Sequence, residues 1–335
     1  MSRHPPRNAR QADLPDKAMT IAPKKELSVF DSTCIIVGII IGAGIYETAP
    51  TVAACMVSPT GTLTIWFIGG LLALTGALCY AELATTYPRQ GGDYVYLTNA
   101  YGKGTGFLFG WSQLAVVRPA DITLMAFIFA RYAQQLYSFN YCIITYAAAV
   151  IITLTLINAL GIKESKWTQN ILTVIKTAGL SAVIIAGLLA PASTAPQAHT
   201  TPDMADLKLA MILVLFTFGG WNEMAYVAAE VKNPNRNIVR ALITGTCAVT
   251  ILYLLANFAF LHALGYEKMT SSQAVAAETI SSTLPNISGK AISILICVST
   301  LGAINGLIFT GSRISYAIGT EHNLFKVLGL SLIHI

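Results

Sequence analysis

The sequence predicts an all-α polytopic membrane protein. Of its 335 residues, 54% are hydrophobic and only 11% are charged, and the mean hydropathy is +0.62. A soluble domain carries about 25% charged residues, so most of this chain is expected to face lipid. The charges cluster between apolar stretches long enough to cross a hydrocarbon core of about 30 Å. Backbone groups in lipid must bond to one another, which predicts that these stretches are helices.

About eight such stretches are present. They cover 30–57, 62–85, 105–137, 141–160, 168–190, 207–231, 238–264 and 289–318. Lysine and arginine are concentrated before the first stretch and in alternate loops, so the positive-inside rule predicts a cytoplasmic N-terminus. We expect an integral protein of the plasma (cell inner) membrane. Residues 1–29 are expected to be a disordered basic cytoplasmic tail, 30–190 the first five spans, and 207–335 spans six to eight.

Two spans contain paired glycines near their centres. Gly42 and Gly44 interrupt the first span, and Gly219 and Gly220 interrupt the sixth. Glycine weakens a helix by about 1 kcal/mol relative to alanine, so both spans are predicted to be broken there. Close helix packing is an alternative use of such glycines. Because the first and sixth spans run in opposite directions, a repeat that relates them must be inverted.

A pair of broken helices has a specific chemical use. The freed N–H groups and the positive dipole end of the following half-helix bind a carboxylate, and the freed carbonyls of the preceding half-helix accept hydrogen bonds from an ammonium group. No charged side chain is required. The ligand predicted by this pattern is an α-amino acid.

Five segments resemble the amino acid–polyamine–organocation (APC) superfamily, and within it the L-type amino acid transporter (LAT)-like branch. The resemblance runs from about Lys25 to Lys326. The segments are Gly42–Tyr46, Tyr80–Leu83 continuing through Pro88, Gly91, Gly92 and Tyr94, Arg118–Pro119, Phe216–Asn222 continuing to Lys232–Pro234 and Arg236–Asn237, and Gly302–Gly306 continuing to Ser312–Arg313.

The resemblance implies a leucine-transporter-type fold of five-plus-five inverted repeats with two further helices. This chain carries about eight spans, so its second repeat is expected to be incomplete, as in a C-terminally truncated sequence that is inactive by itself. The resemblance also implies a substrate site at the two breaks, with Phe216 as an aromatic gate or, alternatively, a lipid-facing side chain. The substrate-binding residues implied are Ile41, Gly42, Ala43, Gly44, Ile45, Phe216, Thr217, Phe218, Gly219 and Asn222.

Charged residues inside the spans are expected to be functional or paired. Lys176 matches a lysine that, in sodium-independent members of the family, stands where sodium sits in sodium-coupled ones; snorkelling toward the cytoplasm is the alternative. Arg118 and Asp121 share a helix face and are predicted to form a structural charge pair. Glu47 and Glu223 depart from the family pattern, and each is interpreted as a solvated acid or as a group that attracts cationic side chains.

The resemblance implies a sodium-independent exchanger of neutral, large apolar amino acids that works by alternating access. The alternatives are a proton-coupled symporter, an exchanger of cationic amino acids or polyamines, and a non-transporting sensor or assembly subunit. The chain has no recognisable catalytic motif and is not expected to be an enzyme. Besides the amino acid and the bilayer, no cofactor, metal or nucleic acid is expected. No companion subunit is expected either, because no cysteine lies clearly in the loop after the third span and Cys142 begins a helix.

Overall fold

A computed structural model of the chain describes residues 25–137, 142–192, 203–284 and 289–329. Within these ranges the regular structure is helical, with a single isolated β-bridge between Leu27 and Val231. Three short stretches are not α-helical, namely a π-helix over Gln113–Val117 and 3₁₀-helices over Trp221–Glu230 and Asn323–Gly329. The α-helices are α1 (Val29–Ile40), α2 (Gly44–Met56), α3 (Pro59–Thr86), α4 (Asp93–Tyr101), α5 (Lys103–Ser112), α6 (Arg118–Leu136), α7 (Ile143–Leu160), α8 (Ile162–Leu189), α9 (Met204–Thr217), α10 (Pro234–Leu264), α11 (Tyr266–Ser271), α12 (Val275–Ser281) and α13 (Gly289–Glu321).

The described residues contain eight candidate membrane spans. Seven helical segments are each long and apolar enough to cross a membrane. The eighth span is the pair α1 and α2, which meet at an angle of 50°. The third span consists of α5, the π-helix and α6, and the sixth consists of α9 and the 3₁₀-helix that follows it. The predicted number of spans, about eight, is confirmed.

Local sequence explains where the broken first span begins. Ser28 caps α1 because its Oγ accepts a hydrogen bond from the Asp31 N–H at 3.2 Å, and the Asp31 carboxylate accepts one from the Ser28 N–H at 2.9 Å. Leu27, just before the cap, is fully buried and pairs with Val231. The tail expected over residues 1–29 therefore ends earlier than predicted, because 27–28 belong to the packed structure; residues 1–24 lie outside the described residues.

A proline explains the irregular third span. Pro119 has no N–H group and cannot donate to the carbonyl four residues earlier, so the regular ladder is interrupted just before it. The interruption takes the form of the π-helix over Gln113–Val117. Arg118 follows directly, so its side chain projects from a widened turn.

The eighth span, α13, is the centre of the bundle. In the most apolar 18-residue stretch of α13, 72% of the residues are buried, whereas the value for α7 is 17%. α13 packs against α1, α6, α7 and α8, while α2 packs against α9 and α3 packs against α10. Both halves of the first span therefore lie next to the core helices, which places its break inside the protein.

Candidate functional site

The break in the first span exposes backbone donors. α1 ends at Ile40 and α2 begins at Gly44, and no side chain caps α2 at Ala43. The N–H groups of Ala43, Gly44 and Ile45 lie at the start of α2. In the described part of the chain, none of them donates to a backbone carbonyl outside the regular bonding of the helices. These donors lie at the positive end of the α2 dipole and are therefore suited to bind an anion.

The break in the sixth span exposes backbone acceptors. α9 ends at Thr217, and the chain turns at Gly220, whose φ of 117° favours glycine. The Gly219 N–H is used, since it donates to the Phe216 carbonyl at 3.0 Å. Outside the regular bonding of the helices, the carbonyls of Phe218 and Gly219 accept no backbone hydrogen bond from a described residue. They are therefore available to a cationic donor.

The two breaks touch each other. A Cβ added to Gly44 would lie 3.1 Å from Thr217 Cγ2, and one added to Gly220 would lie 2.7 Å from Ile39 Cγ2. The hydroxyls of Thr48 and Thr217 are 2.9 Å apart, which ties α2 to α9. The two breaks, one with unused donors and the other with unused acceptors, therefore lie next to each other.

Two side-chain hydroxyl groups donate hydrogen bonds to backbone carbonyls at the breaks. Tyr253 of α10 is fully buried, and its hydroxyl donates to the Ile40 carbonyl at 2.8 Å and lies 3.4 Å from the Thr217 carbonyl. Ser299 of α13 donates to the carbonyls of Ile41 at 3.1 Å and Gly42 at 3.3 Å. Neither residue was predicted from the sequence, because a single hydroxyl in an apolar span carries no signal of what it will contact.

The residues predicted for the substrate site lie together, but their side chains differ in surroundings. Phe218 is fully buried and packs against Trp66 and Tyr253, with ring centroids 6.0 and 5.2 Å away. Phe216 is 56% exposed beside the break, and Asn222 is half-buried. The backbone of Ile41–Ile45 lines the first break, and that of 216–219 lines the second. Their roles in binding remain predictions.

We expect Tyr253→Phe to lower thermal stability and the apparent affinity for an amino acid. The variant leaves the buried Ile40 carbonyl without its donor, at a cost of about 1–3 kcal/mol. If half of this cost falls on binding, the affinity falls by about 2- to 13-fold. Thermal unfolding with and without the amino acid measures both effects. Tyr101→Phe is the control because Tyr101 is 74% exposed. Equal behaviour of the two variants would show that Tyr253 does not support the breaks.

Lys176 is fully buried, so the snorkelling alternative is wrong. Its ammonium donates to the carbonyl of Gly38 in α1 and to that of Ser299 in α13, the latter at 3.3 Å. Gly302 provides the space, since a Cβ there would lie 2.8 Å from Lys176 Nζ. Lys176 therefore joins α8 to α1 and α13 directly behind the first break.

The predicted charge pair of Arg118 with Asp121 is not formed. Arg118 Nη2 lies 2.8 Å from Glu223 Oε1, and Asp121 has no cation within 4.0 Å among the described residues. Thr310 Oγ1 also donates to Glu223, at 2.5 Å, and the Arg118 guanidinium stacks on the Tyr226 ring at 5.0 Å. The long arginine side chain reaches the sixth span, where both charges are buried together.

The two unusual glutamates therefore have different surroundings. Glu223 is only 6% exposed, so its interpretation as a solvated acid is wrong. Glu47 is exposed, as the solvated alternative expects, and accepts a hydrogen bond from the Tyr132 hydroxyl at 3.0 Å.

Polar contacts close one end of the bundle, named here the Leu27 end. The Leu27 N–H donates to the Glu230 carbonyl at 3.0 Å, and the Lys232 N–H donates to the Leu27 carbonyl at 2.9 Å. Arg313 binds the Glu230 carboxylate at 2.9 Å, and Gln90 donates to the same carboxylate at 2.8 Å. The cytoplasmic halves predicted for the first and sixth spans are thus fastened to α13 and to the loop before α4.

The fold and the paired breaks define a polytopic membrane protein of the leucine-transporter type. A solved structure of a Na⁺-coupled sialic acid symporter, in a substrate-bound outward-open state, has the same fold, with a TM-score of 0.60, 13% identity and coverage of 92% of this chain and 71% of that one. The chain belongs to the amino acid permease family, whose model matches residues 27–329. The predicted fold class and the resemblance to the LAT-like branch of the APC superfamily are confirmed.

Curated relatives are amino acid transporters. The chain is 33% identical to the mouse b(0,+)-type amino acid transporter 1, over 92% of this chain and 66% of the relative. It is also 33% identical to the human large neutral amino acids transporter small subunit 2, over 94% of this chain and 61% of the relative. The chain thus spans less than two thirds of the length of these proteins. The expected inactivity of the 335-residue chain remains a prediction.

The expectation that no companion subunit exists is contradicted. One group of relatives is named as the small subunit of a transporter, and so belongs to a larger assembly. The expectation depended on the position of one cysteine, whereas subunits also associate through noncovalent packing. Cys142 is exposed at the start of α7, and residues 138–141 lie outside the described residues.

Proposed function

We propose that the protein is a sodium-independent exchanger of neutral, large apolar amino acids that works by alternating access. The observation that supports this most is the contact between the two breaks. The unused N–H groups of Ala43, Gly44 and Ile45 suit a carboxylate, and the unused carbonyls of Phe218 and Gly219 suit an ammonium group. Both groups are present in every α-amino acid. The relatives named as amino acid transporters support the same ligand.

Alternating access is supported by the asymmetry of the bundle. The Leu27 end is closed by the ion pair of Arg313 with Glu230 and by backbone pairing. In contrast, Phe216 of α9 and Glu47 of α2, which lie on the other side of the breaks from that end, are exposed. The excess of lysine and arginine around the Leu27 end supports a cytoplasmic location for it, in the plasma membrane. Opening of this end requires these contacts to break.

Sodium independence is supported by Lys176. Its ammonium lies between the carbonyls of Gly38 and Ser299, which are oxygen ligands of the kind that small cations prefer. A sodium ion at this place would have to displace the Lys176 ammonium from these carbonyls.

The test measures uptake of radiolabelled leucine in proteoliposomes that contain the protein purified from its native membrane, together with any subunit that copurifies with it. Unlabelled leucine inside the vesicles is expected to accelerate uptake, and replacing sodium by choline outside is expected to leave the rate unchanged. Vesicles without protein are the control. Uptake that needs no internal amino acid contradicts exchange, and uptake that needs sodium contradicts sodium independence.

A further inference from the structure

Asp93 is held against the sixth span at the Leu27 end. It is the first residue of α4 and follows Gly91 and Gly92. The Gly91 N–H donates to the Tyr226 carbonyl at 3.3 Å. Gly92 has a φ of 47°, and a Cβ there would lie 2.7 Å from the Tyr226 ring. The loop before α4 therefore seats directly on the 3₁₀-helix of the sixth span.

The Asp93 carboxylate is bound by hydroxyl groups and by no cation. The Tyr226 hydroxyl donates to Asp93 Oδ2 at 2.7 Å, and the Tyr80 hydroxyl of α3 also binds it. None of the ion pairs within 4.0 Å among the described residues includes Asp93. Burial raises the pKa of Asp93 above its usual value, and the nearby charge of Glu223 raises it further, while the two tyrosines and Arg118 lower it.

Around Asp93, the carboxylates outnumber the cations. Among the described residues that act on Asp93, the cation is Arg118, and it is already paired with Glu223. Asp121, also near Arg118 and Glu223, adds a third carboxylate. The other ionisable groups around Asp93 and its helix are Tyr80, Tyr96 and Tyr226, together with Tyr94 and its neighbours Arg89, Glu321 and His322.

Asp93 is half-buried, and a cavity lies beside its neighbour Arg118. A cavity of about 280 Å³ reaches Arg118 and is lined by Gln113, Ser312 and Ser315 among apolar residues. Two buried atoms on its wall, Arg118 Nε and Gln113 Oε1, have unused hydrogen-bonding capacity, and Arg118 is only 8% exposed. A donor and an acceptor of this kind are suited to bind water, which carries protons.

We propose that Asp93 is a proton-binding site whose occupancy controls the opening of the Leu27 end. A proton from water at that end adds to an Asp93 carboxylate oxygen, so that an O–H bond forms and the negative charge is removed. A hydrogen bond to a carboxylate is about twice as strong as one between neutral groups. Protonation of Asp93 therefore weakens its hydrogen bond with the Tyr226 hydroxyl. The sixth span is then freer to leave the loop before α4.

This inference depends on the proposed function only for the opening step, so proton binding is tested first without transport. Infrared difference spectra of the purified protein are recorded through a pH titration, for wild type, Asp93→Asn and Glu164→Gln. Glu164 is the control because it is an exposed acid of α8. We expect a protonated-carboxyl band that titrates above the usual aspartate value of about 3.9 and is absent only from Asp93→Asn. The same band in all three proteins overturns the proposal.

Leucine exchange is then measured in proteoliposomes against the pH on the cytoplasmic side. Wild type and Glu164→Gln are expected to speed up as the pH falls through the infrared midpoint, and Asp93→Asn is expected to be independent of pH over that range. Asp93→Asn that keeps the wild-type pH profile overturns control of the opening. Absence of exchange in all proteins contradicts the proposed function instead, and the infrared result still decides whether Asp93 binds the proton.

Discussion

Gly220→Ala is expected to abolish transport and lower thermal stability. The backbone φ of 117° is strained for any residue with a side chain, at about 1–3 kcal/mol. The new methyl group would also lie 2.7 Å from Ile39 Cγ2 and 3.3 Å from the Ile40 nitrogen. Relief of this overlap costs about another 1–3 kcal/mol and pushes the two breaks apart. Together these effects cost about 2–6 kcal/mol and predict a loss of about 30-fold or more in the exchange rate.

The matched control for this variant is Gly104→Ala. Gly104 lies in α5, and no atom lies within 4 Å of a Cβ added there. Alanine favours a helix over glycine by about 1 kcal/mol, so this variant is expected to keep full activity and equal or greater stability. The measurements are leucine exchange and thermal unfolding of both variants. Normal exchange by Gly220→Ala would mean that the contact between the breaks is dispensable.

Glu223→Gln is expected to destabilise the protein strongly. The variant leaves the Arg118 guanidinium buried without its carboxylate partner, and breaking a buried pair in this way costs about 3–5 kcal/mol. Removing both charges, as in Arg118→Met with Glu223→Gln, is expected to recover most of that loss. A double-mutant cycle on the free energy of unfolding measures the coupling between the two residues.

Asp121 provides the internal control for this cycle. It lies one helical turn from Arg118 on α6, close enough to take over as its partner when Glu223 is neutral. Asp121→Asn alone is therefore expected to have a small effect, whereas Asp121→Asn added to Glu223→Gln is expected to destabilise further. If the single variant Asp121→Asn costs as much as Glu223→Gln, the assignment of Glu223 as the principal partner is incorrect.

The helix breaks were accessible from sequence because they arise from local chemistry. Glycine at Gly42, Gly44 and Gly219 lowers helix propensity wherever it occurs, and matching positions in the first and sixth spans indicated a common purpose. The number of spans followed equally directly from hydropathy. Neither conclusion requires knowledge of which helices touch.

The partners of long side chains were not accessible in this way. Arg118 has an acid on its own helix and another far along the sequence, and only the packing of α6 against the sixth span decides that Glu223 is bound. The role of Asp93 also depends on tertiary structure, because Tyr226 lies more than a hundred positions later in the chain. Relatedness correctly indicated the family, but the position of one cysteine was a poor guide to assembly.

The pairing of Leu27 with Val231 has a mechanical consequence. Two backbone hydrogen bonds, of 3.0 and 2.9 Å, bind the start of the first span to the end of the sixth. Segments joined in this way cannot swing outward one at a time without leaving unpaired backbone groups in the interior. They are expected to move as a single rigid lever, so that this end of the pathway has two positions, shut and open, with no half-open state between them.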